Sequence, residues 1–316
     1  MFSSSSKFQK QPKGKMWKRW QLFHASDFQS LMYPCFIFCS ILGIFPYKIN
    51  ASSFETSRLR YILLTFHFCV FCSYDLIILH KIITKTIDYG DETKTLEATS
   101  YYIFGGFVVI ITYILSGPRM RVLQAMLKIS SRLPPESYQK LSKWIHLKDI
   151  LGTFFLVMQG YIYYSRGPEY LVYYVLAAYI GLLMFHMDMQ YVNCACVLKA
   201  CFKRINDNLM HLQNVVVNNE PYAPNLICDT QKNQFLLIEL KTLKKQHLIV
   251  SNTMQMLNVI FSLQLLVTIA LTFTDITFDV YRHFGSAKPE RIKHLRSAPL
   301  FMTYLTAPAM SKSKKR

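Results

Sequence analysis

Long apolar blocks, nearly free of charge, recur along this chain with short basic stretches between them. The blocks are "YILLTFHFCVFCSYDLIILHKII" (61–83), "SYYIFGGFVVIITYILSG" (100–117), "ILGTFFLVMQGYIYY" (150–164), the first part of a long run at 170–212, and "LNVIFSLQLLVTIALTF" within about 251–274. A hydrocarbon core about 30 Å thick is crossed by roughly 20 apolar helical residues. A helix can cross because it satisfies its own backbone polar groups where water cannot. The expected fold class is therefore all-α: a polytopic membrane helix bundle of about five spans. The composition agrees, with 52% apolar residues, 23 Phe and 20 Tyr.

The net charge of +18 is unevenly placed. Segments 1–60, 118–148 and 199–246 are rich in Lys and Arg, whereas 84–99 and 165–169 are short and the first is acidic. Basic loops face the cytoplasm, so alternation puts the N terminus inside. A basic chain can also bind nucleic acid, but no recognition motif accompanies the charge, and that reading leaves the apolar blocks unexplained. Three regions follow. Residues 1–60 form a cytoplasmic segment whose "LMYPCFIFCSILGIFPY" (31–47) is too short to cross and reads as a re-entrant or interfacial helix. A signal peptide fits less well, because the basic lead is long and no A-x-A-like site follows. Residues 61–281 form the bundle and its cytoplasmic loops. Residues 282–316 form an atypical basic tail, which five crossings would leave outside. The sequon Asn50-Ala51-Ser52 would lie inside and stay bare.

Local signals refine the elements. "TIDYGDETKTLEA" (86–98) reads as an acidic loop, and Pro118 marks the end of the second span. Pro134-Pro135 divides 118–148 into two short helical pieces. Residues 170–212 read as one helix that crosses the membrane and continues into solvent. "QFLLIELKTLKKQHLIV" (234–250) reads as an amphipathic basic helix leading into the fifth span. Gly105-Gly106 permits close helix contact.

The polar residues inside the fifth span carry the first functional suggestion. At about 100° per residue, Asn258, Ser262, Gln264 and Thr268 fit within an arc on the order of 160°. Lipid cannot satisfy amides, so the stripe faces another helix or borders a ligand cavity or ion path. Asn258, Ser262 and Gln264 are assigned to helix packing or gating. A second feature is aromatic. Tyr101, Tyr102, Tyr161, Tyr163, Tyr164, Tyr170, Tyr173 and Tyr174 gather at the outer ends of spans two to four. They form either an interfacial belt or the wall of an outer pocket, where rings stack on small ligands and hydroxyls orient them. The ligand-binding candidates are Tyr161, Tyr164, Tyr170, Tyr173, Tyr174, Thr272 and Asp275. The ionisable groups within spans are His67, Asp75, His80, His186 and Asp188. Cys69-x-x-Cys72 lacks a second ligand pair. No metal, no cofactor and no enzymatic activity is expected, since no catalytic cluster stands out.

Three stretches resemble the insect gustatory receptor family: "LMYPCFIFCSILGIFPYKI", closing on Gly-x-x-Pro; "VLQAMLKISSRL" after the second span; and "LNVIFSLQLLVTIALTFTDITFDVY", similar to the family's fifth helix. The resemblance covers roughly 25–285 and implies a seven-helix chemoreceptor of the plasma membrane with an inside N terminus. It implies homo- or hetero-tetramers with other gustatory receptors, acting as cation channels gated by small tastants bound in the outer half. It also implies a cytoplasmic anchor built from extensions of the later helices. No sixth or seventh apolar block follows span five, and Thr303-Tyr304 is not followed by the family's Gln-Phe. The chain therefore reads as truncated, and alone it would not conduct. A non-conducting modulatory subunit and a polytopic transporter are the alternatives; a transporter would show internal repeats and broken helices.

Overall fold

A computed structural model describes residues 22–49, 53–87, 92–164, 171–217 and 226–285. In chain order these hold α1 (Phe28–Ile41), β1 (Tyr47–Ile49), β2 (Phe54–Thr56), α2 (Arg58–Ile83), α3 (Glu92–Ile114), α4 (Ser116–Ser130), α5 (Pro135–Tyr164), α6 (Leu171–Val217) and α7 (Leu226–Gly285). The chain is an all-α polytopic bundle with one small hairpin.

Pairwise packing fixes the direction of each helix. Tyr113 of α3 stacks on Phe68 of α2 at 4.4 Å, and Gly106 faces Asp75, so α2 and α3 are antiparallel. The Tyr101 hydroxyl donates to the Ala177 carbonyl at 2.8 Å, and Arg119, just beyond α3, reaches Met187; α3 and α6 run parallel. Gly160 lies beside Ala178 and Thr153 beside His186, so α5 is antiparallel to α6. Tyr191 meets Asn258 and Asp188 meets Thr268, so α7 is antiparallel to α6 as well. The starts of α2, α5 and α7 and the ends of α3 and α6 therefore share one face of the bundle.

Four helices are long and apolar enough to cross a membrane: α2, α3, α6 over Val172–Val216, and α7 over Gln234–Tyr281. The expected third crossing, in α5, is not among them. This helix has 30 residues, about 45 Å, but Lys148, Asp149, Gln159 and the terminal tyrosines dilute its apolar character. It nevertheless lies along the N-terminal half of α6. α6 and α7 have 47 and 60 residues, about 70 and 90 Å. Each is more than twice the thickness of the hydrocarbon core, as a crossing that continues into solvent requires.

The short helix α1 is built by local rules. Asp27 and Ser30 form a capping box at its start. At its end the Ile44 N–H bonds the Cys39 carbonyl and the Gly43 N–H bonds that of Ser40, with Gly43 at φ +74°. This is the Schellman arrangement, whose left-handed position favours glycine. Phe28, Leu31, Met32, Cys35, Phe36 and Cys39 are buried against α4, α5 and α6. With 14 residues, about 21 Å, α1 is too short to cross. The hairpin that follows pairs Tyr47 with Thr56 and Ile49 with Phe54. Phe54 of the hairpin and Phe45 just before it pack on α1: Phe36 stacks on Phe45 at 4.7 Å and meets Phe54 edge-on at 5.7 Å. The sequence reading contains no strands here. The sequon, 50–52, lies outside the described residues, as do the tail 286–316 and the first 21 residues.

Three boundaries differ from expectation. α3 begins at Glu92, so the second half of the supposed acidic loop is helix; an acid in a first turn complements the helix dipole. α3 stops at Ile114 rather than at Pro118. The proline sits in the first turn of α4, where its missing N–H costs nothing. Arg119, only 4% exposed, bonds the Thr112 and Leu115 carbonyls and so caps the end of α3. Finally, Pro135 opens α5 at its first position, and the helix then continues unbroken into the third apolar block.

Candidate functional site: a polar seam between α6 and α7

The stripe on α7 divides. Gln264 is buried at 2% exposure, and its amide lies 3.4 Å from Oδ1 of Asp188 on α6. The Thr268 hydroxyl reaches the same oxygen at 3.4 Å. One turn and a half toward the basic end, the Tyr191 hydroxyl of α6 donates to Oδ1 of Asn258 at 3.2 Å. Ser262 is exposed and donates to the carbonyl of Val259 in its own helix at 3.0 Å. Three of the four polar residues thus join α7 to α6, and Leu257, Phe261, Val267 and Leu271 pack beside them.

A second polar network joins α5 to α6 and α1. Lys148 Nζ donates to Asn193 Oδ1 at 2.8 Å, and Asn193 Nδ2 donates to Asp149 Oδ2 at 2.8 Å. Thr153 lies 3.2 Å from His186 Nε2, and His186 stacks on Phe38 of α1 at 5.0 Å. Two turns before Thr153, His146 Nδ1 accepts from the Phe23 N–H at 3.1 Å. That leaves Nε2 carrying the proton, which it gives to the Leu31 carbonyl at 3.0 Å. Burial holds the His146 pKa below the ordinary value, although the backbone hydrogen bonds oppose the shift.

The tyrosines expected at the outer ends have mixed placements. Tyr101 and Tyr102 meet edge-on at 5.9 Å. Tyr102 donates to the Tyr173 carbonyl at 3.4 Å, so both rings of α3 are tied to the backbone of α6. Tyr173 and Tyr174 are half-buried on α6. Tyr161 on α5 is 63% exposed. Tyr164 ends α5 with its side chain undescribed, and Tyr170 lies outside the described residues. Thr272 is half-buried and bonds the Thr268 carbonyl at 2.8 Å; Asp275 is half-buried. The α6–α7 contacts put Asp275 toward the same end of the bundle as Tyr173 and Tyr174.

A family model described as 7tm Chemosensory receptor matches residues 32–307. The chain belongs to the 7tm chemosensory receptor family. No curated protein and no solved structure matches it. Family membership makes this chain a chemoreceptor of a membrane and implies binding of a small molecule.

Within this chemoreceptor, Asp75 sits buried between α2 and α3. Its Oδ1 has no hydrogen-bond partner among the described residues, and its other oxygen points at Gly106. Lys81, too displaced along α2 to be an ideal partner, is exposed. Among the described residues no cluster of His, Cys, Asp or Glu could hold a metal ion. The α5 network is what sequence reasoning missed. Ser142, His146, Asp149 and Thr153 recur at steps of four, three and four, a one-sided polar stripe of the same kind as that on α7.

Proposed function

We propose that this chemoreceptor is a gustatory-type subunit of the plasma membrane, with its N terminus in the cytoplasm. It assembles with copies of itself or with other gustatory receptors as a tetramer, which is a cation channel where a partner supplies the pore helix, opened by a small tastant at the outer ends of α5, α6 and α7. The observation that carries this reading is the α6–α7 seam. Two unbroken antiparallel helices pass from the tyrosine-rich end, through the contact of Asp188 with Gln264 and Thr268, to long extensions on the basic side. A tastant that binds one packing of these helices better than another shifts the balance between them. The continuous helices then carry the shift to the face where subunits would join.

Calcium imaging and current recording in cells expressing the chain, alone and with a second gustatory receptor, test the proposal. Tyr170→Leu with Tyr174→Leu should abolish or strongly right-shift the response while surface expression holds. An unchanged response means the pocket is elsewhere. Silence alone, with altered currents in the co-expressed receptor, assigns the chain the modulatory role instead. Substrate accumulation without current favours a transporter.

A further inference from the structure

A cleft of about 40 Å³ opens between α4, α6 and α7. Its mouth carries Lys128 from α4, Arg132 from the turn just after α4, Arg204 from α6 and Gln246 from α7. Its walls are apolar, among them Leu133 and Ile205. Among the described residues no carboxylate lines it, and no ion pair or side-chain hydrogen bond holds any of the three cations. Three cations, from α4, the turn after it and α6, converge there without a counter-charge of their own.

The depth of the cleft narrows what could supply that charge. Gln246, Ile249 and Val250 of α7 line it, and the fifth apolar block begins at about residue 251. Phe202 of α6 meets His247 of α7 at 5.4 Å, which confirms that both helices are at the same level here. The cleft therefore opens where hydrocarbon gives way to headgroups, on the face the basic segments share. Its size admits a few water-sized groups, which suits a single phosphate and excludes a whole sugar ring.

We propose that this cleft is a lipid site that takes the phosphate monoester of an anionic phospholipid of the cytoplasmic leaflet, with the acyl chains running along the apolar α7 surface beside it, where Leu248 and Ile249 are exposed. The Arg guanidinium forks suit phosphate oxygens, and basic pockets between helices at this level bind phosphorylated headgroups. Bound there, the lipid joins α4 to the α6–α7 pair beyond the basic end of the seam, so lipid composition tunes how readily the two long helices shift. The proposal rests on the inside orientation argued above for the leaflet it names, but not for the existence of the site.

The test uses the full chain purified in detergent, where both faces are open to added lipid. Native mass spectrometry and thermal unfolding are read with phosphatidic acid, phosphatidylcholine or inorganic phosphate added. Phosphatidic acid should remain bound and raise the unfolding midpoint, and phosphatidylcholine should do neither. Arg132→Gln with Arg204→Gln should weaken phosphatidic acid binding roughly 20- to 30-fold, from the loss of two charges near the headgroup. Lys241→Gln with Lys244→Gln, exposed on α7 outside the cleft, should change it less than about threefold. Equal binding of both lipids, or an equal loss in the two double variants, overturns the site. Stabilisation by inorganic phosphate alone to the same degree overturns the lipid as occupant. If the arginine variant does not fold, wild-type protein decides: raising salt from about 0.1 to 1 M shortens the screening length from about 10 to 3 Å, and binding that ignores it sinks the proposal. A wrong orientation leaves all these results intact and shows instead in the glycan mapping described below.

Discussion

Oδ1 of Asp188 on α6 and Nε2 of Gln264 on α7 lie 3.4 Å apart in the middle of the apolar bundle. Their separation is at the long edge of hydrogen bonding, but lipid offers no competing partner. Buried polar contacts between membrane helices are worth about 0.6 kcal/mol on average and up to about 1.7. Asp188→Leu and Gln264→Leu should each destabilise the bundle. In a double-mutant cycle read by unfolding in detergent, the pair should show a coupling of about 0.5–1.5 kcal/mol. Strict additivity would show that the two side chains merely lie near each other.

Gly105 and Gly106 meet different neighbours and should respond differently to rescue. A methyl at Gly106 would come within 2.5 Å of Asp75 Oδ2, and one at Gly105 within 2.6 Å of the Ile180 side chain. Gly106→Ala and Gly105→Ala should each cost about 1–3 kcal/mol by overpacking. Asp75→Ala should restore most of the loss at Gly106 and none at Gly105. Gly117, in the first turn of α4, meets nothing within 4 Å. Gly117→Ala should therefore be neutral or stabilising by up to about 1 kcal/mol. Thermal midpoints of the single and double variants check all four.

These residues show what the sequence could and could not reveal. The α7 stripe was legible because Asn258, Gln264 and Thr268 interrupt an otherwise oily block, so their one-sidedness stands out. The stripe Ser142, His146, Asp149, Thr153 obeys the same periodicity, yet it runs through a basic segment where polar residues are unremarkable. The strands of the hairpin have three residues each, too few for alternation to show. The tyrosines posed a different problem. Spacing placed Tyr101 and Tyr102 at one end of the expected span at 100–117, whereas α3 begins at Glu92 and holds them near its middle; whether a hydroxyl faces a ligand or the backbone of α6 depends on which helices adjoin, and that is set by tertiary packing. Likewise Asp75 could be flagged as an intramembrane acid, but the glycine opposite it is 31 positions away and becomes its neighbour only through the antiparallel pairing of α2 and α3.

His146 makes the docking of α1 dependent on pH. The neutral ring bonds both Phe23 and Leu31, and its pKa is lowered in the folded chain by burial. In the unfolded chain the ring titrates near 6.5. Above that pH the ring is neutral in both states and the clamp is fully present. As pH falls below it, the unfolded chain takes up the proton first, and stability is lost. A protonated Nδ1 would also point a donor at the Phe23 N–H. Thermal stability in detergent should fall between about pH 7 and 5, more steeply in the wild type than in His146→Gln. Equal slopes would assign the pH effect to other groups.

The orientation of the whole bundle is testable by two glycan acceptors. α2 and α3 are antiparallel, so the hairpin before α2 and the connection before α3 lie on opposite faces. Charge decides which face is which: the segment before α2 is basic and the connection at 84–91 is not. Asp91→Asn converts Asp91-Glu92-Thr93 into an acceptor sequon in that connection. Expressed in cells, this variant should gain one glycosidase-sensitive mass increment, while native Asn50 remains unmodified in every version. A glycan at Asn50, with none gained in Asp91→Asn, would invert the bundle. The cleft of Lys128, Arg132 and Arg204 would then face the extracellular leaflet, and the tyrosine end would face the cytoplasm, where no external tastant could reach it.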